Sequence, residues 1–208
     1  MSLQSMVSFI RQTGLLTSKE VESAMLAVDR ALFMPEGAPA YEDRAYPVMS
    51  GQTISAPGVV AFMLEKMDIR QGMKILEIGT GTGYNCALLS RLAGPEGKVV
   101  SVEVLPELHE LAKKNLSKIG FPKNLELVLG DGSAGYPKEA PYERIIVTAG
   151  MPELNQELLS QLKPDGKIIA PVGGEHFQDL VLFDRKSGEY KRILPVVFVP
   201  LRGKKGFQ

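Results

Sequence analysis

The sequence predicts an α/β fold: a mostly parallel seven-stranded sheet with helices on both faces, ending in an antiparallel strand pair. Short apolar runs rich in β-branched residues alternate with helical segments, which is typical of a parallel sheet covered on both sides. The runs read KILEI, KVVSVEV, LELVLG, RIIVT, KIIAPV, LVLFD and PVVFVPL in chain order. No helical stretch separates the last two runs, so we expect them to form a hairpin around RKSGEY.

The first 70 residues are expected to add helices and a loop to this sheet. Two helices open the chain, and TSKE predicts the start of the second with Thr17 as its cap. Residues 33–57 are irregular and contain four prolines, which predicts a long loop of the kind that is usually functional. We predict a single domain over 1–208, with N-terminal helices and a substrate loop in 1–70 and the ligand-binding core in 71–208.

Helical segments fill the gaps between the loop and the first strands. GVVAFMLEKM follows the loop directly, and NCALLSRLAG and PELHELAKKNLSKIG follow the first two strands. Pro106 opens the last of these segments, a position where its fixed φ and missing N–H are tolerated.

The composition limits the kinds of partner and the cellular compartment that we expect. The 208 residues include 24 Lys plus Arg and 24 Asp plus Glu, a formal net charge of zero. A nucleic-acid partner is therefore not expected, because phosphate binding needs a basic surface. Cys86 is the single cysteine, so no internal disulfide can form and a reducing compartment is expected. Neither a secretion signal nor a membrane-spanning run is evident, so we expect a cytoplasmic protein without a membrane partner. We also expect a monomer, although no motif in the sequence determines the oligomeric state.

The stretch LEIGTGTGYN, residues 76–85, is the strongest local motif. It lies between the first predicted strand and a helix, where glycines permit a tight turn and close approach of a ligand. A dinucleotide fingerprint that starts at Gly79 needs a third glycine where this chain has Tyr84. The loop therefore favours a ligand other than a dinucleotide.

Acidic residues at successive strand ends indicate which ligand. Glu103 ends the second strand, 20 residues after Gly83, where a carboxylate can accept from both ribose hydroxyls. Glu77 precedes the loop and suits a cationic amino-acid end, and Asp131 can accept from an adenine amino group. S-adenosylmethionine is such a ligand. We predict that it contacts Glu77, Gly79, Thr80, Gly81, Thr82, Gly83, Glu103, Val104, Asp131 and Gly132.

Longer segments carry a family resemblance. AVDRALFMP, AYEDRAYPV, GQTISAP, ILEIGTGTGY, GDGSAGYPKEAPYERIIVTA, QLKPDGKIIAPVG and FVPL occur in this order. On these segments the chain resembles the protein-L-isoaspartate (D-aspartate) O-methyltransferases over nearly its whole length. GQTISAP and FVPL distinguish this family from other methyltransferases. Gly58 stands where members commonly have histidine, and Asn155 where they often have a second proline.

The resemblance implies a Rossmann-like class I methyltransferase fold and an enzyme of protein repair. Such enzymes use S-adenosylmethionine to methylate the α-carboxylate of isoaspartyl residues, which form when asparagine deamidates or aspartate isomerises. The ester then cyclises to a succinimide without the enzyme, and hydrolysis returns some normal aspartate. The implied partners are damaged proteins and peptides.

The resemblance also implies the substrate residues. Ser55 is the catalytic candidate, since its hydroxyl can donate to one carboxylate oxygen and leave the other free to attack. Alternatively, Ser55 caps the helix that begins near Pro57, and it could do both. Thr53 and Ile54 would lie between cofactor and peptide, and Val199 in the FVPL segment could offer backbone groups to the peptide.

The chemistry of carboxylate methylation demands few special residues. A carboxyl group with a pKa near 4 is already an anion at neutral pH, so no general base is needed. No set of residues has metal-ligand spacing, and we predict no metal site. His109 and His176 are expected to be surface residues, and Cys86 a small buried one.

Two alternatives stay open on the sequence alone. One is a methyltransferase for another substrate. A nucleic-acid enzyme would be expected to carry an N/D-P-P-Y/F segment where this chain reads TAGMP, but a small-molecule acid would need the same site. The other is a binding adapter that retains the fold and the cofactor without turnover.

Overall fold

The computed structural model describes residues 1–207, so the last residue of the predicted 71–208 core lies outside it. The N-terminal elements are α1 (Leu3–Gln12), α2 (Lys19–Ala27), the strands β1 (Tyr46–Pro47) and β2 (Thr53–Ile54), and α3 (Pro57–Met67). The strands β1 and β2 pair antiparallel and fix the end of an otherwise irregular loop, which agrees with the sequence prediction.

The cap of α2 differs from the prediction. Ser18, not Thr17, is the N-cap residue, and its side chain accepts from the N–H of Val21. Thr17 instead donates its hydroxyl to Glu65 on α3, and the same carboxylate accepts from the N–H of Ser18. A carboxylate 47 residues away in the chain therefore supplies the acceptor for the N-cap N–H, while the N-cap side chain itself stays local.

The larger elements form the sheet and its cover. The strands are β3 (Lys74–Ile78), β4 (Lys98–Glu103), β5 (Leu125–Leu129), β6 (Tyr142–Val147), β7 (Leu162–Gly174), β8 (Phe177–Asp184) and β9 (Glu189–Val196). The helices are α4 (Tyr84–Ala93), α5 (Pro106–Ser117) and α6 (Gln156–Ser160). Within residues 1–207 no helix is both long and apolar enough to cross a bilayer.

The strand order is β5-β4-β3-β6-β7-β8-β9, and the first five strands in this order run parallel. Only β8 runs in the opposite direction, and it pairs antiparallel with both β7 and β9. The predicted fold class is confirmed, including the C-terminal hairpin, which turns at residues 185–188. Because the five strands from β5 to β7 run parallel, their carboxyl ends lie at one edge of the sheet, where ligands bind in such folds.

The last strand lies earlier in the chain than predicted. The run PVVFVPL was predicted as a strand, but β9 ends at Val196 and the segment that follows leaves the sheet. The N–H of Gly150 donates to Val199 O at 2.8 Å, and the N–H of Leu201 donates to Gly150 O at 2.7 Å. These bonds carry residues 197–201 across the carboxyl edge of the sheet.

Both faces of the sheet are buried at its centre, around β3. In β3, Ile75 packs in the apolar cluster that also contains the N-terminal helices and α4. Its neighbour Leu76 points the other way, into a second cluster that includes Leu158 of α6. This alternation follows from the period of two along a strand, and both side chains are fully buried.

Candidate active site

The glycine loop joins β3 to α4 in a conformation that favours glycine at three positions. Gly79, Gly81 and Gly83 have φ values of +95°, +56° and +90°. A Cβ at Gly79 would lie 2.4 Å from the Thr148 hydroxyl oxygen, and one at Gly83 would lie 3.3 Å from Ala112 on α5. A Cβ at Gly81 would have no heavy atom within 4 Å, so this glycine faces open space.

Two cavities adjoin the loop at the carboxyl edge of the sheet. The first cavity, about 550 Å³ with its mouth, is lined by the end of β4, by α5 and by residues 199–202. The second cavity, about 460 Å³, is lined by the loop, by β2 with Ser55, and by Phe198. The cavities share Thr53, Gly79, Gly81 and Thr148, so a ligand in one can meet a ligand in the other.

Glu103 lies on the wall of the first cavity and is oriented by the backbone. One carboxylate oxygen accepts from the N–H of Gly81 at 2.8 Å, and the other accepts from the N–H of Leu105 at 3.0 Å. Each carboxylate oxygen has a second lone pair, so Glu103 can still accept from two hydroxyl groups. This arrangement suits a vicinal diol such as that of ribose.

Glu77 lies behind the loop and lines neither cavity. It is fully buried, accepts from the side-chain amide of Asn85 at 2.7 Å, and also accepts from the hydroxyl of Ser101. The Ser101 hydroxyl is in turn 2.6 Å from that of Thr80 in the loop. The Glu77 carboxyl thus links the strand ends to the loop, and Asn85 is the member of this network that lines the second cavity.

Burial raises the pKa of the Glu77 carboxyl group. Desolvation raises the pKa of Glu77 to about 7, although the bonds from Ser101 and Asn85 oppose the rise. The folded protein therefore holds this proton up to about pH 7, whereas the unfolded chain releases it near the ordinary pKa of 4.5. As a result, the contribution of Glu77 to the free energy of unfolding falls as pH rises through this window.

We expect Glu77→Gln to remove this part of the pH dependence. Each unit of pKa difference corresponds to about 1.4 kcal/mol. The free energy of unfolding of the wild type should therefore fall by roughly 3 kcal/mol more than that of the variant between pH 4.5 and 7. Glutamine keeps the shape and can still bond both Ser101 and Asn85. Urea unfolding at pH 5 and pH 8 measures the free energy of unfolding of both proteins. An equal change in this free energy between the two pH values in wild type and variant would contradict the assignment.

Most of the other predicted cofactor residues line one of the two cavities, but Gly83, which packs against α5, lines neither. Val104 and Gly132 line the first cavity, while Thr80 and Thr82 line the second. Asp131 lines neither of these two cavities. Its carboxylate accepts from the N–H of Ser133 and from the N–H of Lys204, both at 2.9 Å. Contact between Asp131 and an adenine amino group stays a prediction.

The predicted substrate residues lie around the second cavity. Thr53, Ile54 and Ser55 all line it, whereas Val199 lines the first. Ser55 does not cap α3, because Ala56 is the N-cap residue and the side chain that accepts from the first turn is that of Asp43, which bonds the N–H of Gly58. The capping alternative for Ser55 is therefore wrong.

Thr148 is a site residue that the sequence analysis missed. It lines both cavities, and its hydroxyl oxygen lies 2.6 Å from Gly79 O and 3.0 Å from Ile78 O, to which it donates. The signal was its place at the end of the predicted strand RIIVT, of which it is the last residue. That signal could not be used without the sheet order, which sets β6 beside β3.

Comparison with known proteins decides the family. Residues 1–206 match the model of the family described as protein-L-isoaspartate(D-aspartate) O-methyltransferase. The chain belongs to this family. It is 45% identical over 210 residues to the protein-L-isoaspartate O-methyltransferase of Methanopyrus kandleri, covering 99% of this chain and 93% of that protein. It is also 45% identical over 208 residues to the one of Pyrococcus horikoshii, covering 97% and 93%.

Solved structures agree with the fold. A protein-L-isoaspartate O-methyltransferase structure is similar with a TM-score of 0.87 and 33% identity, covering 99% of this chain and 67% of that one. A Plasmodium falciparum structure, described as a putative member in complex with S-adenosyl-L-homocysteine, has a TM-score of 0.89 at 23% identity and covers 97% and 99%. The second likeness supports the fold alone.

The two departures from the family pattern have local structural reasons. Gly58 lies in the first turn of α3, where its N–H donates to Asp43 at 2.6 Å. A Cβ at this glycine would lie 2.5 Å from the same carboxylate, so Asp43 occupies the place of a side chain. Asn155 caps α6 by accepting from Leu158 N–H at 3.0 Å, and it donates to Ser133 O at 2.9 Å. Neither residue lines the two cavities.

The histidines and the cysteine differ in how well they were predicted. His109 was expected at the surface, but it is only 5% exposed, and its Nδ1 has no hydrogen-bond partner among residues 1–207. His176 is exposed and Cys86 is fully buried, both as predicted. No group of three or more potential metal ligands occurs within the described residues.

Proposed function

We propose that the protein methylates the α-carboxylate of L-isoaspartyl residues in damaged proteins and peptides, with S-adenosylmethionine in the first cavity and the acceptor carboxylate beside Ser55 in the second. One observation carries the arrangement. The two cavities meet at the glycine loop and Thr148, with Glu103 on one side and Ser55 on the other. In this proposal residues 1–70 supply the substrate wall and residues 71–208 hold the cofactor.

The residues of the first cavity fit this cofactor. The missing side chain at Gly81 leaves open space at the loop, and Glu103 retains acceptor capacity for two hydroxyls. Apolar side chains of Val102, Leu105 and Leu108 complete the wall and suit the flat face of a base. When bound, S-adenosylmethionine supplies a methyl group that its sulfonium makes electrophilic without a metal ion.

The chain itself has to orient the acceptor and exclude water. An isoaspartyl carboxylate is already ionised at neutral pH, so no residue needs to remove a proton. The Ser55 hydroxyl, which is not used as a cap, can donate to one carboxylate oxygen and leave the other free to attack. Orientation of this kind can supply several kcal/mol. Phe198 and Ile54 give the second cavity apolar walls that limit water near the reacting atoms.

A paired-peptide assay tests the function. The protein is incubated with methyl-labelled S-adenosylmethionine and two peptides that differ only in aspartate or isoaspartate at one position. We expect a methyl ester on the isoaspartyl peptide alone. Label on both peptides would indicate a general carboxylate methyltransferase. Label on neither, with cofactor bound, would indicate an adapter or another acid as substrate, and either result would overturn the proposal.

The proposal includes a cytoplasmic monomer without a nucleic-acid partner. Equal numbers of basic and acidic residues, 24 of each, give a formal net charge of zero, which does not favour a phosphate-rich partner. A single buried free thiol suits a reducing compartment. Light scattering of the purified protein measures its mass, and a value of twice 22.7 kDa would contradict the monomer.

We expect Glu103→Ala to weaken cofactor binding by roughly 10- to 100-fold, because a hydrogen bond to a charged group contributes about 1.5–3 kcal/mol. Titration calorimetry with S-adenosyl-L-homocysteine measures the dissociation constant. Glu107→Ala is the matched control, since Glu107 lies on α5, bonds Ser50 at 2.6 Å and lines neither cavity. An unchanged dissociation constant in Glu103→Ala would refute the ribose assignment.

A further inference from the structure

Arg30 is a fully buried cation behind the substrate wall. One guanidinium nitrogen donates to Ala40 O at 3.0 Å and touches the sulfur of Met34. The other donates to Ser55 O at 2.9 Å and lies 3.5 Å from Arg44 O. All of these partners are backbone carbonyls or a thioether, so none of them carries a charge.

Among residues 1–207 no carboxylate lies within ion-pair distance of this guanidinium. Asp43 is near enough for its charge to act on Arg30, but its carboxylate binds the N–H of Gly58. The Nε of Arg30 is buried without a hydrogen-bond partner. Burial lowers the pKa of Arg30 to about 10, which still leaves it protonated at neutral pH. A buried charge with no carboxylate in direct contact is costly and calls for a functional explanation.

The position of Arg30 relative to the second cavity supplies that explanation. The guanidinium binds the carbonyl of Ser55, whose residue lines the cavity. Its carbon also lies 6.0 Å from the ring centroid of Tyr84, which lines the same cavity. The positive charge of Arg30 therefore lies one peptide unit or one aromatic ring behind the surface that an acceptor would touch. The interior between the charge and this surface has low polarity, so it screens the charge only weakly.

We propose that Arg30 positions the Ser55 peptide unit and selects the charge of the acceptor. Its guanidinium fixes the Ser55 backbone, and its positive charge favours an acceptor that carries a carboxylate. Methylation converts this anion into a neutral ester, so the same charge favours substrate over product and assists product release. This inference rests on the proposed function, because it takes the isoaspartyl carboxylate of the substrate as the anion that Arg30 lacks.

The test compares charged and neutral ligands of the same shape. The ligands are an isoaspartyl peptide, the same peptide with the α-carboxylate replaced by an amide, and its methyl ester. We expect the wild type to bind the carboxylate at least about tenfold more tightly than the amide or the ester. In Arg30→Met the KM for the isoaspartyl peptide should rise by a similar factor, while the inhibition constant of the amide peptide stays within about twofold. Arg30→Lys should keep most of the preference because it keeps the charge.

Arg144→Met is the matched control for loss of a buried guanidinium. Arg144 is 5% exposed and also bonds backbone carbonyls, those of Met67, Asp68 and Glu143, but it lines neither cavity. This control should lose stability and keep the preference for the carboxylate.

Three results would overturn the inference, and one of them needs no variant. Equal affinity of the wild type for carboxylate and amide peptides would show that no positive charge acts on the acceptor. Equal weakening of both peptides by Arg30→Met would show that Arg30 is only structural. Loss of the preference for the carboxylate in Arg30→Lys, which keeps the positive charge, would show that the preference depends on the shape of the guanidinium and not on its charge. Failure of the wild type to esterify the isoaspartyl peptide would instead overturn the proposed function.

Discussion

Replacing Gly79 with alanine is expected to lower cofactor affinity by at least about 100-fold. The residue has a φ of +95°, a region that costs an alanine roughly 1–2 kcal/mol. The added Cβ would also lie 2.4 Å from the Thr148 hydroxyl oxygen, and overpacking typically costs about 1–3 kcal/mol. Thr148 cannot easily move aside, because its side chain is β-branched and its hydroxyl bonds two carbonyls. The loop itself must shift, and with it the wall of the first cavity.

Two further variants separate the clash from the backbone strain. Gly120→Ala is the control for strain, since Gly120 has a φ of +82° and no heavy atom within 4 Å of an added Cβ. It should lose stability without losing affinity for S-adenosyl-L-homocysteine. The double variant Gly79→Ala/Thr148→Ala removes the clashing oxygen and should regain part of the affinity. A wild-type dissociation constant for Gly79→Ala would show that the loop does not need its present path.

The glycine loop and the carboxylate at the end of β4 could be predicted because their signals are local in sequence. The loop from Gly79 to Gly83 follows a short apolar strand and precedes a helix, as predicted, and its three glycines have positive φ values. Glu103 could be placed because parallel strands bring their carboxyl ends to the same edge of the sheet. Neither inference depended on which strands are neighbours, and the family resemblance added the substrate segment independently of both.

The residues that the sequence analysis missed depend on contacts between distant segments. Thr148 reaches the loop only because β6 lies beside β3, and this order is not written in the strand pattern. Arg30 meets Ser55 through a fold of the loop between them, which has little periodicity to predict its path. Thr17 bonds Glu65 on another helix, which displaced the predicted local cap. In each case a tertiary partner replaced or supplemented a local one.

His109 is a different kind of error, because a signal for it was present. It lies three and seven residues before Ala112 and Leu116, two buried positions on the same face of α5. That spacing places it on the apolar side of an otherwise charged helix. The charged neighbours along the sequence outweighed the helical period in the prediction. A prediction based on the helix face of His109, and not on its neighbours along the sequence, would have given a buried side chain.

Ser55→Ala is expected to lower kcat on an isoaspartyl peptide by roughly 10- to 100-fold, the value of one hydrogen bond to a charged group. Affinity for S-adenosyl-L-homocysteine should stay within about twofold, because Ser55 lines the second cavity and not the first. Stability should also be unchanged, because Ala56 rather than Ser55 is the N-cap of α3, whereas loss of a true cap costs about 1 kcal/mol.

The backbone contacts make this variant easy to interpret. The carbonyl of Ser55, not its hydroxyl, binds Arg30, so alanine keeps the segment in place and removes only the side-chain donor. Ser50→Ala is the matched control in the same loop, since its hydroxyl bonds Glu107 and it lines neither cavity. That control should turn over at the wild-type rate. Parallel losses of kcat, cofactor affinity and stability in Ser55→Ala would mean that its hydroxyl supports the fold, and the acceptor carboxylate would then need another donor.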